Sequence, residues 1–300
     1  MKTPLALSAA ALIFCQAAAL SCRSFGASAE EYYSIGMAYF EIGKYEEAER
    51  WLSRARSAGR TRIASEYNLG RIAFETGRYE DAAEYFETVL ERDPDNVMAL
   101  RALAYTWIMS GELAEAERLY GRVAALVPDN ADDGYNHALV LYAMEKYAAA
   151  EDLILSRPHA LENSQDMLLL FARIQRALGK VEAADSYAQW LASNNDSRVR
   201  YEYARVLEDA ELYARALEEY QAALGNLPPD SAKPTAAEVR FSLARVYLTA
   251  DSGNPQGLTE LKAAVEGGFA DREELEALSR DGRLDETSRA EIQELLKNLP

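Results

Sequence analysis

The chain contains few residues of the types that carry out nucleophilic or metal chemistry. Its two cysteines, Cys15 and Cys22, lie near the start, so no later segment can use a thiol as nucleophile, metal ligand or disulfide partner. His159 follows Pro158 in a predicted turn and has no second His or Cys at ligand spacing. Neither a Gly-x-Ser-x-Gly motif nor a glycine-rich phosphate-binding loop is present. The sequence therefore predicts no metal, no cofactor and no enzymatic activity.

The chain is strongly acidic, with 49 Asp and Glu against 32 Lys and Arg and a formal net charge of −17. Nucleic-acid binding requires clustered Lys and Arg, and anionic lipid surfaces attract the same residues, so the composition disfavours both kinds of partner. With so many carboxylates, no two of them can be singled out as a general acid and base. The acidic surface is typical of a soluble helical protein.

The first 22 residues have the pattern of an export signal. A short basic segment, residues 1–4, precedes an apolar run over residues 5–20, which is short for a bilayer span and typical of a secretory signal. The segment Ala19-Leu20-Ser21-Cys22 resembles a bacterial lipobox of the looser kind found in spirochaete lipoproteins. That resemblance implies a signal peptide over residues 1–21 and a lipid on Cys22.

A second processing site competes with the first. The small-x-small pattern Ala27-Ser28-Ala29 is typical of signal cleavage without lipidation, and cleavage there would follow Ala29. Both alternatives predict an exported, periplasmic protein. They differ in whether a lipid on Cys22 tethers the chain to the inner or outer membrane.

The rest of the chain is organised by a period of 34 residues. The clearest copy, residues 63–96, contains two amphipathic helices separated by Gly77 and closed by the turn Asp93-Pro94-Asp95-Asn96. Glycine favours the left-handed conformation that ends a helix, and proline cannot continue one. A first small residue recurs at Gly36, Gly70, Ala104, Ala138 and Ala172. A second recurs at Ala48, Ala82, Ala116, Ala150 and Ala184. The turn glycine recurs at Gly43, Gly77, Gly111 and Gly179, with Glu145 in its place in the fourth copy.

This period, with Leu-Gly, Gly-x-Tyr, Ala, Phe and Pro at these offsets, resembles the tetratricopeptide repeat. The resemblance implies an all-α, right-handed α-solenoid of about seven helix-turn-helix repeats over residues 29–266, followed by C-terminal capping helices over 267–300. One helix pair cannot bury its apolar stripe alone, so copies must stack. The fourth repeat is expected to break early at Arg157-Pro158. His137 replaces a core Leu of the repeat, which implies a structural role.

In this family the first helix of each repeat lines the concave groove. The positions that this implies in the first four repeats are Tyr33, Met37, Phe40, Tyr67, Asn68, Arg71, Phe74, Arg101, Tyr105, Ile108, Met109, Tyr135, Asn136, Leu139 and Tyr142. The later positions are Arg173, Arg176, Tyr201, Arg205, Phe241 and Arg245. Because Tyr and Arg dominate binding hot spots, the set favours a groove for an extended or helical peptide, including one with carboxylates to pair with the arginines.

A structural interpretation of the same residues stays open. The tyrosines could pack between neighbouring helices, and the arginines could form ordinary i,i+4 ion pairs on a solvated face, Arg71 with Glu75 and Arg205 with Asp209.

Chaperone-binding members of the family grip a terminal carboxylate with a clamp of Lys, Arg and Asn. Asn68 and Asn136 match one clamp position, but Tyr67 and Tyr135 stand where its first Lys belongs. A clamp of this kind is therefore not predicted.

The resemblance favours a non-catalytic scaffold or adaptor at the bacterial cell envelope that holds a partner protein or peptide. Two alternatives stay open. One is an accessory lipoprotein of a transport system, which would bind a small molecule in a pore or pocket. The other is a self-assembling structural envelope protein, whose groove or end helix would bind a second copy of the chain.

Overall fold

The computed structural model describes residues 28–299 apart from residues 57, 58, 60 and 252. The predicted signal peptide and the lipobox with Cys22 lie outside the described residues. Within the described residues every element is an α-helix, 17 in all, and the predicted all-α class is confirmed. Across that part of the chain, none of the helices combines the length and apolar character needed to cross a membrane.

The chain divides into two compact units, residues 1–133 and 134–300. The first unit contains α1 (Ala29–Glu41), α2 (Tyr45–Ala55), α3 (Arg62–Glu75), α4 (Tyr79–Leu90), α5 (Val97–Ser110) and α6 (Leu113–Leu126). These helices pack as three consecutive pairs, which are the expected helix-turn-helix repeats. The next helix, α7 (Ala131–Ala143), crosses the division between the units.

The second unit continues the pattern with α8 (Tyr147–Leu155), α9 (Pro158–Asn163), α10 (Gln165–Ala177), α11 (Ala183–Leu191), α12 (Ser197–Asp209), α13 (Tyr213–Asn226), α14 (Ala236–Ala250) and α15 (Pro255–Glu266). The break predicted at Arg157-Pro158 is confirmed, because α8 ends at Leu155 and a short extra helix begins at Pro158. A last pair, α16 (Arg272–Ser279) and α17 (Glu286–Lys297), buries Leu275 and Ile292 in one cluster with α14 and α15.

The turn between the two helices of a repeat has the same backbone conformation in six places. Four glycines have positive φ there, as predicted: Gly43 (73°), Gly77 (75°), Gly111 (85°) and Gly179 (69°). In the fourth and sixth repeats the position is held by Glu145 (φ 59°) and Glu211 (φ 58°). Side chains with a Cβ adopt this conformation at a cost, so the repeat geometry is imposed on both glutamates.

Replacing Glu145 or Glu211 with glycine is expected to raise the free energy of unfolding by about 0.5–1 kcal/mol. Glycine removes the left-handed strain of about 1–2 kcal/mol, and its greater freedom in the unfolded chain offsets part of the gain. Urea denaturation followed by circular dichroism would measure the change. The reverse substitution, Gly111→Glu, is the matched control and should destabilise. A loss of stability in Glu145→Gly would contradict the argument.

Small residues set the distance between the two helices of a repeat. A Cβ added at Gly36 would lie 2.7 Å from Leu52, and one added at Gly70 would lie 2.6 Å from Phe86. In the later repeats alanine suffices, and it is fully buried at Ala104, Ala138, Ala172 and Ala204. The small residues that recur in the sequence therefore lie where the two helices of each repeat approach closely.

One predicted position is wrong by a single residue. The second small residue is fully buried at Ala48, Ala82, Ala116 and Ala150, but in the fifth repeat Ala183 is buried and the predicted Ala184 is only half-buried. The cause is a tight turn before α11, in which the N–H groups of Ala183 and Ala184 bond to carbonyls three residues earlier. Three-residue turns advance the helix phase differently from α-helical ones, so the buried face shifts.

Candidate functional site

In the first unit, the first helices of the repeats present a row of aromatic rings. Phe40 and Phe74 occupy equivalent positions and pack against the tyrosine that opens the next helix, with ring centroids 5.7 Å from Tyr45 and 5.4 Å from Tyr79. Tyr105 continues the row, 5.3 Å from Phe74. Contacts of this kind hold the rings in defined positions.

The row ends in exposed apolar side chains on α5. Tyr105 is 51% exposed and Met109, one turn further along, is 46% exposed. Met98 shares that helix face and is 58% exposed. Exposed apolar side chains that cluster on one face, unlike scattered ones, are typical of an interaction surface.

Arg71 and Asn68 are engaged within the first unit. The Arg71 guanidinium lies 4.4 Å from the centroid of the Phe40 ring and donates to Asn68 Oδ1 at 3.1 Å. Asn68 is buried, and its amide donates to the Tyr33 hydroxyl at 3.2 Å. The described residues contain no ion pair between Arg71 and Glu75. Asn68 therefore belongs to the interior of the repeat, while the Arg71 guanidinium packs against the Phe40 ring of the aromatic row.

The other predicted side chains lie between helices. Tyr67 is half-buried with its ring 5.6 Å from Phe86, and Ile108 is half-buried on α5. Tyr33 and Met37 pack against the apolar cluster of the first two repeats. In the second unit, Tyr135 and Tyr142 pack against the cluster around Ala138 and Phe171, and Asn136 is half-buried. Most of the predicted aromatic residues are thus packed between helices, whereas Tyr105 is exposed.

Three of the predicted groove arginines bind carboxylates of a neighbouring repeat. Each makes two hydrogen bonds: Arg101 to Asp133 (2.7 and 2.5 Å), Arg173 to Glu202 (2.9 and 2.8 Å), and Arg245 to Glu208 (2.6 and 2.9 Å). Such two-point pairs are strong and directional, so these arginines link consecutive repeats. Hydrogen bonding to the carboxylate also raises the pKa of Arg101 and Arg173.

A buried tyrosine joins the ion pair in the second unit. The hydroxyl of Tyr187 donates to Glu202 at 2.9 Å, and that of Tyr220 donates to Glu208 at 2.7 Å. Both tyrosines are fully buried at the position that holds Leu52, Phe86 and Ile154 in other repeats. Burial raises the pKa of both hydroxyls, and the neighbouring carboxylate raises it further.

The first unit has a related arrangement around Asp133. Tyr120 is buried at the equivalent position, and burial together with the charge of Asp133 raises its pKa to about 12. The sequence feature that these three arrangements share is a tyrosine at this core position; the arginine lies on the first helix of the same repeat for Tyr120 and Tyr187, and of the next repeat for Tyr220.

The second unit is expected to lose stability as pH rises above about 10. Unfolded tyrosine has a pKa near 10, whereas Tyr187 and Tyr220 hold their protons to higher pH when folded. In that range the unfolded chain binds fewer protons, so its free energy falls relative to the folded state, by about 1.4 kcal/mol per pH unit for each tyrosine. Urea midpoints between pH 8 and 11 would measure the slope. Tyr220→Phe should make it shallower, and an unchanged slope would contradict this origin.

The second unit also contains an open cavity of about 570 Å³. Its walls come from α12, α14, the first turn of α16 and the segments before α14 and α16, and they include Arg198, Tyr201, Glu202, Arg205, Lys233, Pro234, Glu238, Phe241, Phe269, Asp271 and Glu274. Phe241, predicted as a groove residue, is 1% exposed and stacks on Phe269 with centroids 4.1 Å apart. It therefore forms the floor of the cavity.

A second cavity, of about 550 Å³, adjoins the same helix. It is lined by Tyr142, Arg173, Arg176, Ala177, Tyr187, Glu202 and Asp209. The side chains of Arg176, Arg198 and Arg205 make no hydrogen bond or ion pair with any described residue, although the backbone N–H of Arg198 donates to Asp196 at 2.8 Å. The alternative pairing of Arg205 with Asp209 does not form among the described residues. Arg198 was not among the predicted residues, because its position is not a groove position of the repeat.

The described residues hold no group of three or more His, Cys, Asp or Glu placed to bind a metal ion. His159 is 94% exposed, with Nδ1 3.7 Å from Glu162. His137 is half-buried on α7.

Three sequence families described as tetratricopeptide repeat match the chain. One matches residues 67–131 and 169–231, a second residues 27–95 and a third residues 132–157. Together they match well over half of the chain. Among curated proteins no sequence matches.

Several solved structures share the fold. A tetratricopeptide repeat protein from Parabacteroides merdae ATCC 43184 aligns with a TM-score of 0.59 at 19% identity, covering 90% of this chain and 97% of its own. YrrB, described as a tetratricopeptide repeat protein with an unusual peptide-binding site, aligns with a TM-score of 0.55 at 19% identity, covering 65% and 98%. MamA from Desulfovibrio magneticus RS-1 gives 0.51 at 19%, covering 56% and 96%.

Proposed function

Because the chain belongs to the tetratricopeptide repeat family, we propose that it is a non-catalytic scaffold that binds a partner protein or peptide on the first helices of its repeats. The fold of this family does not specify which partner is bound, so the function has to be inferred from a particular site. The site is the exposed end of the aromatic row in the first unit, formed by Phe74, Tyr105 and Met109.

The observation that carries the proposal is the exposure of Tyr105 and Met109 on one face of α5. The two side chains are four residues apart and therefore adjacent on the helix surface. Phe74 supports the Tyr105 ring from α3, so the tyrosine is held in place before any partner binds. Rigid, exposed aromatic side chains beside apolar ones are typical binding hot spots. The peptide-binding site reported for YrrB, a structural relative, supports the same use of the fold.

The proposal is tested by site-specific crosslinking in the cell of origin. A photoreactive phenylalanine analogue in place of Tyr105 would capture whatever touches α5, and mass spectrometry would identify it. Affinity capture would then compare wild type with Tyr105→Ala/Met109→Ala. The matched control is Ile42→Ala/Leu126→Ala, which removes two exposed apolar side chains of the same unit outside the first-helix faces.

We expect a partner that crosslinks at Tyr105, is lost in Tyr105→Ala/Met109→Ala and is kept in the control. A partner retained by both variants would contradict this location of the site. If the only crosslinks join copies of this chain, the protein self-assembles and the scaffold proposal is wrong. If no protein is crosslinked, the result favours a small ligand.

We also propose that the protein is exported and anchored to an envelope membrane, inner or outer, by a lipid on Cys22. The apolar run and the lipobox-like segment support lipidation, and the start of α1 supports it over cleavage after Ala29. Ser28 caps α1 by accepting from the Glu31 N–H at 3.2 Å, while Glu31 accepts from the Ser28 N–H at 2.7 Å. Cleavage after Ala29 would remove this cap, at a cost of about 1 kcal/mol.

Metabolic labelling with an alkyne fatty acid tests the anchor. Wild type should take up the label and fractionate with membranes, whereas Cys22→Ser should do neither. An unlabelled mature chain that begins at Glu30 would establish the competing site and overturn the anchor.

A further inference from the structure

Two arginines that line the 570 Å³ cavity of the second unit have guanidinium groups without a partner among the described residues. They are Arg198 and Arg205, which lie on α12. Many arginines in this acidic chain are paired: Arg200, on the same helix, binds Glu219 at 2.8 Å, and Arg240 on α14 binds Glu260 at 2.7 Å. Arg198 and Arg205 share one cavity, whereas other guanidinium groups without partners, such as those of Arg50 and Arg92, belong to exposed residues of the first unit.

The carboxylates that line the same cavity are already engaged. Glu202 accepts from Arg173 and from Tyr187, and Glu238 accepts from the Thr235 N–H at 2.7 Å.

The other two acids have partners as well. Asp271 caps α16 by accepting from the Glu274 N–H at 3.0 Å, and the Glu274 carboxylate lies 3.6 Å from Arg245. The cationic groups that line the cavity are Lys233, which lies 3.8 Å from Glu238, and the guanidinium groups of Arg198 and Arg205, which pair with none of these carboxylates.

Arg198 and Arg205 are seven residues apart, so they lie on one face of α12 about 10 Å from each other along the helix. Tyr201 lies between them and is fixed by contact of its hydroxyl with Ser242 at 3.3 Å. The stacked rings of Phe241 and Phe269 close the bottom of the cavity. The cavity thus offers two separated cationic groups on either side of a partly aromatic surface.

We propose that this cavity binds an acidic peptide segment, with two carboxylates that pair with Arg198 and Arg205 and an apolar side chain between them. In an extended polyproline-like peptide, residues three apart lie on the same side and about 9 Å apart, which matches the separation along α12. Guanidinium groups bind carboxylates through two parallel hydrogen bonds. A single phosphate fits less well, because its oxygens cannot reach two guanidinium groups that lie about 10 Å apart along the helix.

This site is independent of the proposed surface on α5. It lies wholly within the second unit, and it would remain if the first unit bound no partner.

The test uses a displayed library of random peptides selected on the full-length protein at low salt. Wild type should enrich sequences with Asp or Glu three residues apart, and Arg198→Ala/Arg205→Ala should not. The affinity of the best peptide, measured by fluorescence anisotropy, should fall about 100-fold in that variant, about tenfold for each lost pair. The matched control is Arg50→Ala/Arg92→Ala, which removes the same charge from two exposed arginines of the first unit that also lack partners.

The control should keep the affinity within about threefold. If both double variants lose peptide affinity equally, the effect comes from general electrostatics and the proposed site is wrong. The proposed site is also wrong if the library selects no acidic sequences. Succinate and inorganic phosphate serve as competitors. If either binds at the arginines while no peptide does, the ligand is a free anion and the peptide proposal fails.

Discussion

Replacing Glu208 with alanine is expected to lower the free energy of unfolding of the second unit by about 3–4 kcal/mol. Glu208 lies on α12, and its carboxylate accepts two hydrogen bonds from Arg245 on α14 and one from Tyr220 on α13. Its side chain is 13% exposed and that of Arg245 is 26% exposed. Removing the carboxylate leaves the buried Tyr220 hydroxyl without its acceptor, and it leaves the largely buried guanidinium with only the Glu274 carboxylate, 3.6 Å away, as a counter-charge. Breaking a buried ion pair in this way costs about 3–5 kcal/mol, and the remaining Glu274 contact places the expected loss in the lower part of that range.

The matched control is Glu276→Ala. Glu276 also pairs with an arginine, at 2.6 Å from Arg280, but their side chains are 39% and 73% exposed. Exposed pairs contribute about 0–1 kcal/mol, so this variant should unfold close to wild type in urea. A third variant, Glu208→Ala/Arg245→Met/Tyr220→Phe, should recover stability because no polar group is left stranded. If Glu208→Ala costs no more than Glu276→Ala, the ion pair does not link these repeats.

The helix pairs could be predicted from the sequence because their determinants are local and periodic. A small residue every 34 positions marks the helix crossing in the first five repeats, and a glycine marks the left-handed turn in four of them. The left-handed conformation of Glu145 is not indicated by its residue type. The one-residue error at Ala184 has a different origin. It follows from a tight turn whose hydrogen bonds leave no mark in the residue types, so neither the period nor the composition could show it.

The roles of the arginines could not be predicted in the same way. Arg101, Arg173 and Arg245 stand at groove positions of the family, yet each binds a carboxylate in a neighbouring repeat. In a chain with 49 acidic residues, the sequence offers many partners for every arginine and does not select among them. Only packing decides which guanidinium groups are engaged. It leaves Arg198 and Arg205 without partners.

The arginines of the second unit therefore fall into two groups. Arginines that lie between repeats are neutralised by carboxylates and contribute stability, while those that line the cavity keep their hydrogen-bonding capacity for a ligand. The aromatic residues divide similarly: Tyr187 and Tyr220 are buried within ion pairs, whereas Tyr105 stands exposed. Residue type alone gives no indication of this distinction.

Replacing Gly70 with alanine is expected to lower the free energy of unfolding by about 2 kcal/mol. The added Cβ would lie 2.6 Å from Cε1 of Phe86 and 2.9 Å from two further ring atoms, closer than such contacts allow. Phe86 is 1% exposed and packed in the core, so its ring cannot move aside without displacing neighbours. Overpacking of this kind costs about 1–3 kcal/mol and outweighs the gain in helix propensity.

Gly121→Ala makes the same chemical change with the opposite expected sign. Gly121 lies in the middle of α6, is exposed, and an added Cβ would meet no atom within 4 Å. Alanine should therefore stabilise the helix by about 1 kcal/mol through propensity alone. Urea denaturation of both variants measures the difference, about 3 kcal/mol between them. If both substitutions stabilise the protein, the two helices of the second repeat can move apart to accept the added Cβ. Close approach at Gly70 would then not determine the distance between them.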